Sequence, residues 1–369
     1  MDFMKRPLLL GLLAVCVALT ACAGTTIETT PTTAPTTIAT EATVAPTETT
    51  VPETTEPPVL RHPLNGAVLE QPWTGRAGAV TINNLRACLP HYGTSQADIL
   101  YEVETESGIT RMLAIYDDFS DLGKLGPVRS TRTFFNCVAL TFDAPIFHCG
   151  GSVRGRNACQ DIYGPRIPNW AHVDQMYNSS YFFRDEYRYT HLGYNWEHTL
   201  FTDGERLTKA MEKEGFMDQA RRPKDFGLVF DEEPAWAGTA ANKVIVNFLG
   251  EKTTTFTYDP EAGLYRASQY GKDYIDAGNE EHVSFRNVLV LFSEQWFEHD
   301  GEYLRSYYEL VGSGKGALAV DGKIVDITWH RPNTESSFTY TLADGSSAVL
   351  GVGHSYVAIS GAAEFVTAE

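Results

Sequence analysis

Recognised catalytic signatures are missing from this 369-residue sequence. It has no GxSxG nucleophile elbow, no HExxH pair, no P-loop, and no SxxK with its companion motifs. The Gly150-Gly151-Ser152 segment is not a nucleophile elbow, and the cysteines lack the usual spacing of a zinc site. The sequence therefore predicts no catalytic residue, no cofactor and no metal, and it favours a protein that is not an enzyme.

Positive charge is also scarce. The chain carries 29 Lys and Arg residues against 47 Asp and Glu residues, which gives a formal net charge of −18. Such a surface repels the phosphates of nucleic acids and of anionic lipids. We therefore expect no nucleic-acid partner.

The apolar run near the beginning of the sequence, Leu8 to Leu19, is too short to span a membrane comfortably. It follows Lys5 and Arg6 and ends in Leu19-Thr20-Ala21-Cys22, the pattern of a bacterial lipobox. Residues 1–22 are therefore predicted to be a lipoprotein signal peptide that is lipidated at Cys22. Acyl chains on this cysteine would hold the protein on the extracytoplasmic face of the cell membrane. An ordinary secretory signal or an uncleaved anchor is the alternative.

Aromatic and basic residues are absent from residues 23–58, which consist mainly of Thr with Pro, Ala and Glu. Such a segment cannot bury enough apolar surface to offset the entropy lost on ordering. We predict a disordered tether over residues 23–59 that separates a globular body from the membrane.

Cysteine is confined to the first half of the chain. Besides Cys16 and Cys22, the sequence contains Cys88, Cys137, Cys149 and Cys159. An even number of cysteines outside the membrane favours disulfides, but free buried thiols remain an alternative.

Residues 126–152 place polar groups at both ends of an apolar segment. After a Gly-Pro turn, Ser130 or Thr131 is expected to cap a helix that ends at Pro145. A short buried strand at Ile146-Phe147 then leads into a Gly-Gly loop.

Residues 97–116 alternate between apolar and polar positions and predict a β-hairpin that turns near Glu106. The expected faces are Ile99, Tyr101 and Val103 on one side, and Leu100, Glu102 and Glu104 on the other. The simplest interpretation of the charged residues is a solvated face.

Several polar side chains in and before these segments are suited to binding a carboxylate, an acidic sugar or a peptide terminus. The candidate ligand-binding residues are Asn84, Glu102, Arg111, Arg129, Arg132 and His148. Arg129 and Arg132 lie at the predicted helix start, where a cation opposes the helix dipole and needs an anion. We expect both arginines beside His148 in a concave site. If a hairpin carboxylate supplies the anion instead of a ligand, the arginines are structural.

Asp203 is predicted to cap a helix that runs to Glu214 and stops at Gly215. Before it, residues 181–189 and 196–202 combine aromatic residues with charged ones. These segments are suited either to a packed core or to a binding surface.

Residues 221–238 are rich in Pro, Gly and charge and predict a domain boundary. The segments that follow alternate between strand patterns and turn residues, which indicates an antiparallel, barrel-like or curled sheet. The predicted fold class is α+β. An N-terminal mixed α/β domain over residues 60–220 precedes a β-rich antiparallel domain over residues 239–362.

The segments NNLRACLPHYGTSQADILYEV, ESGITRMLAIY and GPVRSTR occur in this order, followed by an HCGG turn, FRD and EHTLFT. With them, the sequence resembles the YerB-like lipoproteins, Gram-positive envelope proteins built on a domain of unknown function with a C-terminal companion domain. The resemblance covers the body after the tether. It implies an α+β fold in two parts, a cell-surface location and a role in wall synthesis or remodelling, but no reaction. The four body cysteines depart from the family pattern.

Three classes of function remain open. A module that binds a cell-wall component would use the candidate residues in a polar cleft, whereas a scaffold for membrane-bound wall synthases would use a flat aromatic surface. A cell-wall hydrolase would use the paired carboxylates Glu102 and Glu104. A nucleophilic Cys149 would need a base other than His148, because neighbouring residues on a strand point to opposite faces.

The lipobox generates a direct prediction. Replacing Cys22 with alanine is expected to move the protein from the membrane fraction to the medium, or to leave an unprocessed precursor, because the thiol is the acylated atom. Fractionation and mass spectrometry of the mature N-terminus test this prediction. A mature, unlipidated N-terminus elsewhere in the wild-type protein would contradict it.

Overall fold

Strands dominate the computed structural model, which describes residues 59–106, 108–154, 172–217, 225–248, 252–334, 336–362 and 366–369. The predicted signal peptide and Cys22 lie outside these ranges, as do Cys159 and all but the last residue of the predicted tether. No helix in the described ranges is long and apolar enough to cross a membrane.

The strands are β1 (Gly78–Asn83), β2 (Ile99–Glu106), β3 (Ile109–Tyr116), β4 (Lys124–Leu125), β5 (Ile146–His148), β6 (His172–Asp174), β7 (Phe183–Arg184), β8 (Leu200–Asp203), β9 (Phe230–Asp231), β10 (Thr239–Ala240), β11 (Lys243–Asn247), β12 (Thr253–Asp259), β13 (Leu264–Gln269), β14 (Lys272–Asp273), β15 (Ser284–Phe285), β16 (Asn287–Phe292), β17 (Gln295–Asp300), β18 (Tyr303–Tyr308), β19 (Gly312–Val320), β20 (Lys323–Arg331), β21 (Thr339–Thr341), β22 (Leu350–Gly351), β23 (Ser355–Ser360) and β24 (Val366–Ala368). The α-helices are α1 (Thr133–Thr141), α2 (Glu186–Thr190) and α3 (Gly204–Lys213). Short 3₁₀ helices span Arg86–Cys88, Thr94–Gln96, Ser179–Tyr181 and Trp196–His198.

The main sheet draws strands from both halves of the chain. Its order is β10, β20, β19, β16, β23, β2, β3, β1, β5 and β6, with β21 beside β20. β23 lies between β16 and β2 and is parallel to both. Its sequence, SYVAIS, is buried along its whole length, as is typical of a central parallel strand. The two halves of the chain are therefore joined by backbone hydrogen bonds within one sheet.

Each face of the main sheet carries its own hydrophobic core. On β2, Tyr101 and Val103 belong to one core and Leu100 to the other, which confirms the predicted alternation. The first core is completed by α1. The second is covered by another sheet, in the order β14, β13, β12, β11 and β24, with β15 beside β13.

Of the two helices whose capping residues were predicted from the sequence, one starts where expected and the other does not. Asp203 caps α3 as predicted, since its side chain accepts a hydrogen bond from the Arg206 backbone N–H. The predicted cap of α1 at Ser130 or Thr131 is wrong, because the helix starts after Arg132. Thr131 instead bonds through its Oγ1 to Asn136 Oδ1 at 2.7 Å.

The second half of the chain is rich in strands, as the alternation of strand patterns and turn residues predicts, but its strands do not form a separate barrel-like sheet. Most of them divide between the main sheet and the second sheet, while β17 with β18 and β9 with β22 form separate pairs. Two pairs, β16 with β23 and β9 with β22, are parallel instead of antiparallel. β17, which pairs with β18, was not predicted, because its sequence QWFEHD lacks a clear apolar alternation.

The sheet order predicts how fragments behave. A fragment of residues 60–220 is expected not to fold alone, because it keeps β2 but lacks β23, which pairs with β2 over Ile99–Val103. Circular dichroism should show a cooperative thermal transition for residues 59–369 and none for the fragment. A cooperative transition of the fragment would show that its half of the sheet is self-sufficient.

Candidate functional site

The charged residues of the β2–β3 hairpin are buried, so the expectation of a solvated face is wrong. Asp98, Glu102 and Glu104 are 4%, 0% and 2% exposed. Each carboxylate has internal donors: Asp98, for example, accepts hydrogen bonds from Asn65 Nδ2 at 2.6 Å and from the Asp117 backbone N–H at 2.8 Å. Buried carboxylates require such partners, and the fold supplies them.

Glu102 lies at the centre of a buried polar cluster between the main sheet and the second sheet. It accepts hydrogen bonds from Asn84 Nδ2 (2.7 Å), Thr110 Oγ1 (2.6 Å), Thr254 Oγ1 (2.8 Å) and Tyr356 OH (2.8 Å), and Lys252 Nζ lies 3.3 Å away. Two of the candidate residues, Asn84 and Glu102, are thus in direct contact. With this many internal donors, the carboxylate ties the two sheets together.

Lys252 is the cation of this cluster and is 1% exposed. Its Nζ also donates to Gln269 Oε1 at 2.7 Å and lies 4.6 Å from the centroid of the Tyr270 ring. Burial lowers the pKa of Lys252, while the charge of Glu102 acts in the opposite direction. The pair is therefore a buried ion pair whose partners depend on each other.

Three arginines converge on Glu106 at the end of the hairpin. Arg132 Nη2 and Arg305 Nη1 both donate to Glu106 Oε1, and Arg111 Nη2 lies 3.8 Å from the same oxygen. Burial alone would raise the pKa of Glu106, but the three positive charges lower it to about 2. Burial lowers the pKa of Arg132 to about 10. Arg111 and Arg132 therefore have a hairpin carboxylate as their internal partner, as expected if these arginines have a structural role.

Arg129 lies apart from Glu106. Its Nη2 donates to Glu197 Oε2 at 2.8 Å, and its side chain is 23% exposed. Its backbone carbonyl accepts a hydrogen bond from the Cys149 N–H at 3.0 Å. The backbone of Arg129 thus adjoins the HCGG turn, while its side chain points to the segment that contains Trp196.

His148 is built into the turn that follows β5. Its Nδ1 is 2.8 Å from the Gly150 carbonyl, which can only accept, so Nδ1 carries the proton. Nε2 then accepts from Nδ1 of His172 at 3.1 Å, and the two rings are stacked with centroids 5.3 Å apart. Burial lowers the pKa of His148 to about 4. His148 is therefore neutral at pH 7, and its bonding partners are internal.

The structure thus separates the six candidate residues. Asn84 and Glu102 share one cluster on one face of the main sheet, and Arg111 and Arg132 share Glu106. The partners of Arg129 and His148 lie elsewhere, at Glu197 and His172. Among the described residues, the hydrogen bonds of His148 go to Gly150 and His172, and none goes to these arginines.

A cysteine and a histidine that the sequence analysis did not pair lie together between the end of β1 and the segment that follows β14. Cys88 Sγ is 3.7 Å from His91 Nε2. His91 donates to the Asn83 carbonyl at 2.6 Å and accepts from the Tyr274 hydroxyl. Burial lowers the pKa of His91 to about 3 and raises that of Cys88 to about 12. This pair therefore lacks both a free base and a thiolate, which nucleophilic catalysis needs.

Cys149 is half-buried, and its Sγ donates to Gln175 Oε1 at 3.3 Å. Burial raises its pKa, which disfavours the thiolate. Among the cysteines that the structure describes, Cys88, Cys137 and Cys149, no two are joined by a disulfide. The described ranges also contain no group of three His, Cys, Asp or Glu side chains that could hold a metal ion.

Exposed apolar side chains gather on and after α2, and we call this group the aromatic surface. Its members are Tyr187, Tyr189, Leu192 and Trp196, which are 61%, 49%, 55% and 48% exposed. The rings of Tyr189 and Trp196 meet edge to face at 5.3 Å. Arg184 lies over Trp196 at 4.8 Å and donates to its carbonyl at 2.7 Å. The segment is therefore held by internal contacts, although its rings are open to solvent.

Comparison with known proteins identifies the family to which this chain belongs. Residues 65–217 match the "Protein of unknown function (DUF3048) N-terminal domain", and residues 244–357 match the C-terminal domain of the same name. The chain belongs to the YerB-like family, which these two domains define. It is 28% identical to "Putative lipoprotein YerB" of Bacillus subtilis (strain 168), over 77% of this chain and 81% of that protein. The crystal structure of the B. subtilis YerB protein superposes with a TM-score of 0.70 at 24% identity, over 84% of this chain and 99% of that one, and shows the same fold.

The buried ion pair yields a stability prediction. Glu102→Ala is expected to lower the free energy of unfolding by about 3–5 kcal/mol, because it leaves the buried Lys252 ammonium without its carboxylate. Adding Lys252→Met should restore part of this loss. Chemical denaturation of the single and double variants measures both effects.

The matched control is Glu369→Ala, which removes the exposed partner of Lys243 and should cost about 0–1 kcal/mol. If Glu102→Ala costs no more than this control, the cluster does not hold the two sheets together.

Proposed function

We propose that this protein is a lipid-anchored component of the extracytoplasmic membrane face that binds a protein partner of the cell envelope through its aromatic surface. The observation that carries the proposal is the exposure of Tyr187, Tyr189 and Trp196 on a segment fixed by internal contacts. Such rings lose little conformational entropy on binding and are enriched at the energetic centres of protein interfaces.

The location rests on the sequence and on the relative. The lipobox at Cys22 supplies the anchor, and the relative from B. subtilis is itself named a lipoprotein. The 37 residues of the predicted tether, 23–59, span at most about 130 Å when fully extended. A body on such a tether can reach partners both at the membrane and within the wall.

A protein partner is favoured over a wall component in a polar cleft because the candidate residues are divided among separate clusters. Arg111 and Arg132 contact Glu106, and His148 contacts His172. The aromatic surface instead combines Tyr, Trp and Leu side chains with a cation, Arg184. Arg129 and Glu197 lie at its edge and supply the polar rim that interfaces of this kind require.

Crosslinking tests the proposal in the intact envelope. A photoreactive amino acid at Tyr187 of the full-length chain is expected to give a discrete protein adduct. Trp196→Ala should reduce the adduct strongly, because truncation of a central aromatic residue costs about 2 kcal/mol or more of binding energy, roughly a 30-fold loss of affinity.

Tyr303→Ala is the matched control, because it removes an exposed tyrosine (62%) from β18, outside the aromatic surface, and should leave the adduct unchanged. An adduct that muramidase digestion converts to small fragments would identify a wall glycan and overturn the protein-partner assignment. An adduct equally reduced by both substitutions would show that the aromatic surface is not the site.

A further inference from the structure

The cluster at Glu106 brings three cations to one anion. Four separate elements supply it: Glu106 ends β2, Arg111 lies in β3, Arg132 precedes α1, and Arg305 lies in β18. All three guanidinium groups approach the same oxygen, Oε1 of Glu106. The contacts within the cluster therefore leave an excess of two positive charges.

The neighbouring carboxylates are engaged elsewhere. Glu104 accepts from the Gly108 backbone N–H at 3.0 Å. Asp300 is attracted to the opposite charge of Arg305, but it accepts hydrogen bonds from the Tyr307 hydroxyl at 2.9 Å and from the Arg154 backbone N–H at 3.2 Å. Glu197 is held by Arg129. Each of these acids thus has other donors, and none is in contact with the three guanidinium groups.

The guanidinium groups also retain donors. Within the described ranges, the Nε atoms of Arg111, Arg132 and Arg305 have no hydrogen-bond partner. Arg111 and Arg132 use one further nitrogen each, on the carbonyls of Ser130 and Thr131. Oε2 of Glu106 also has no hydrogen-bond partner within these ranges. Since each guanidinium carries five N–H donors in a fixed fork, the three arginines still hold more donors than the two oxygens of one carboxylate can accept.

We infer that this cluster is an oxyanion-binding site and that its ligand carries a phosphate group. Arginine recognises phosphate and carboxylate through paired N–H donors, and a phosphate monoester carries about −1.5 to −2 charges near pH 7, which matches the excess of two. The side of the cluster that a ligand reaches is marked by Glu106 and Arg305, whose side chains are 18% and 12% exposed. This inference is independent of the aromatic surface.

Calorimetric titration of the full-length protein at constant ionic strength tests the site, with inorganic phosphate, glycerol 3-phosphate, acetate and chloride as probes. Phosphate is expected to bind more tightly than acetate, and chloride least tightly. If glycerol 3-phosphate binds as well as phosphate, the site accepts a phosphate carried on an organic group. If it binds far more weakly, the ligand is free phosphate.

Two variants with opposite expected effects on phosphate affinity distinguish a change in binding from a loss of folding. Arg305→Gln should weaken phosphate binding by about tenfold or more, since it removes one charge-assisted contact. Glu106→Gln should tighten it, because the competing carboxylate is gone. Arg266→Gln, which breaks an exposed ion pair with Asp259, is the matched control and should change nothing. Three results would overturn the inference. They are a wild type that shows no heat of phosphate binding, an Arg305→Gln variant with unchanged phosphate affinity, and a loss of phosphate affinity in both Arg305→Gln and Glu106→Gln.

Discussion

The hydrogen bonds that β23 makes on both of its edges are the constraint on which the rest of the fold depends. β16 lies on one side of this strand and β2 on the other, so the main sheet is continuous only when it is in place. Both cores rest on faces of this sheet. Packing of α1 on one side and of the second sheet on the other therefore requires a strand from the far end of the described chain.

The polar clusters depend on the same union of distant segments. Glu102 receives hydrogen bonds from Thr254 and Tyr356, and Glu106 receives one from Arg305. Neither carboxylate would have its complement of donors in the first half alone. The burial of Glu102 and Glu106 therefore depends in part on donors that the second half supplies.

Local patterns predicted local structure well. The alternation of apolar residues placed the hairpin, and the Asp203 cap placed α3, because both signals act between residues close in sequence. Arg129 and Arg132 were found from their position at a predicted helix start, yet their anions, Glu197 and Glu106, could not be identified from the sequence. Lys252 and Arg305 were missed, since nothing near them in the sequence marks a residue whose partner is more than 100 positions away. The burial of the hairpin charges was missed for the same reason.

The position of β23 also bears on how the chain reaches its native state. Ile99 in β2 pairs with Ser355, more than 250 residues downstream, so the main sheet is complete only after segments far apart in the sequence have come together. Contacts of such separation make folding slow, because a large loop must be ordered before any of its contacts form. The joining of β23 to β2 is therefore expected to be a late step in folding, after which both cores can pack on a continuous sheet.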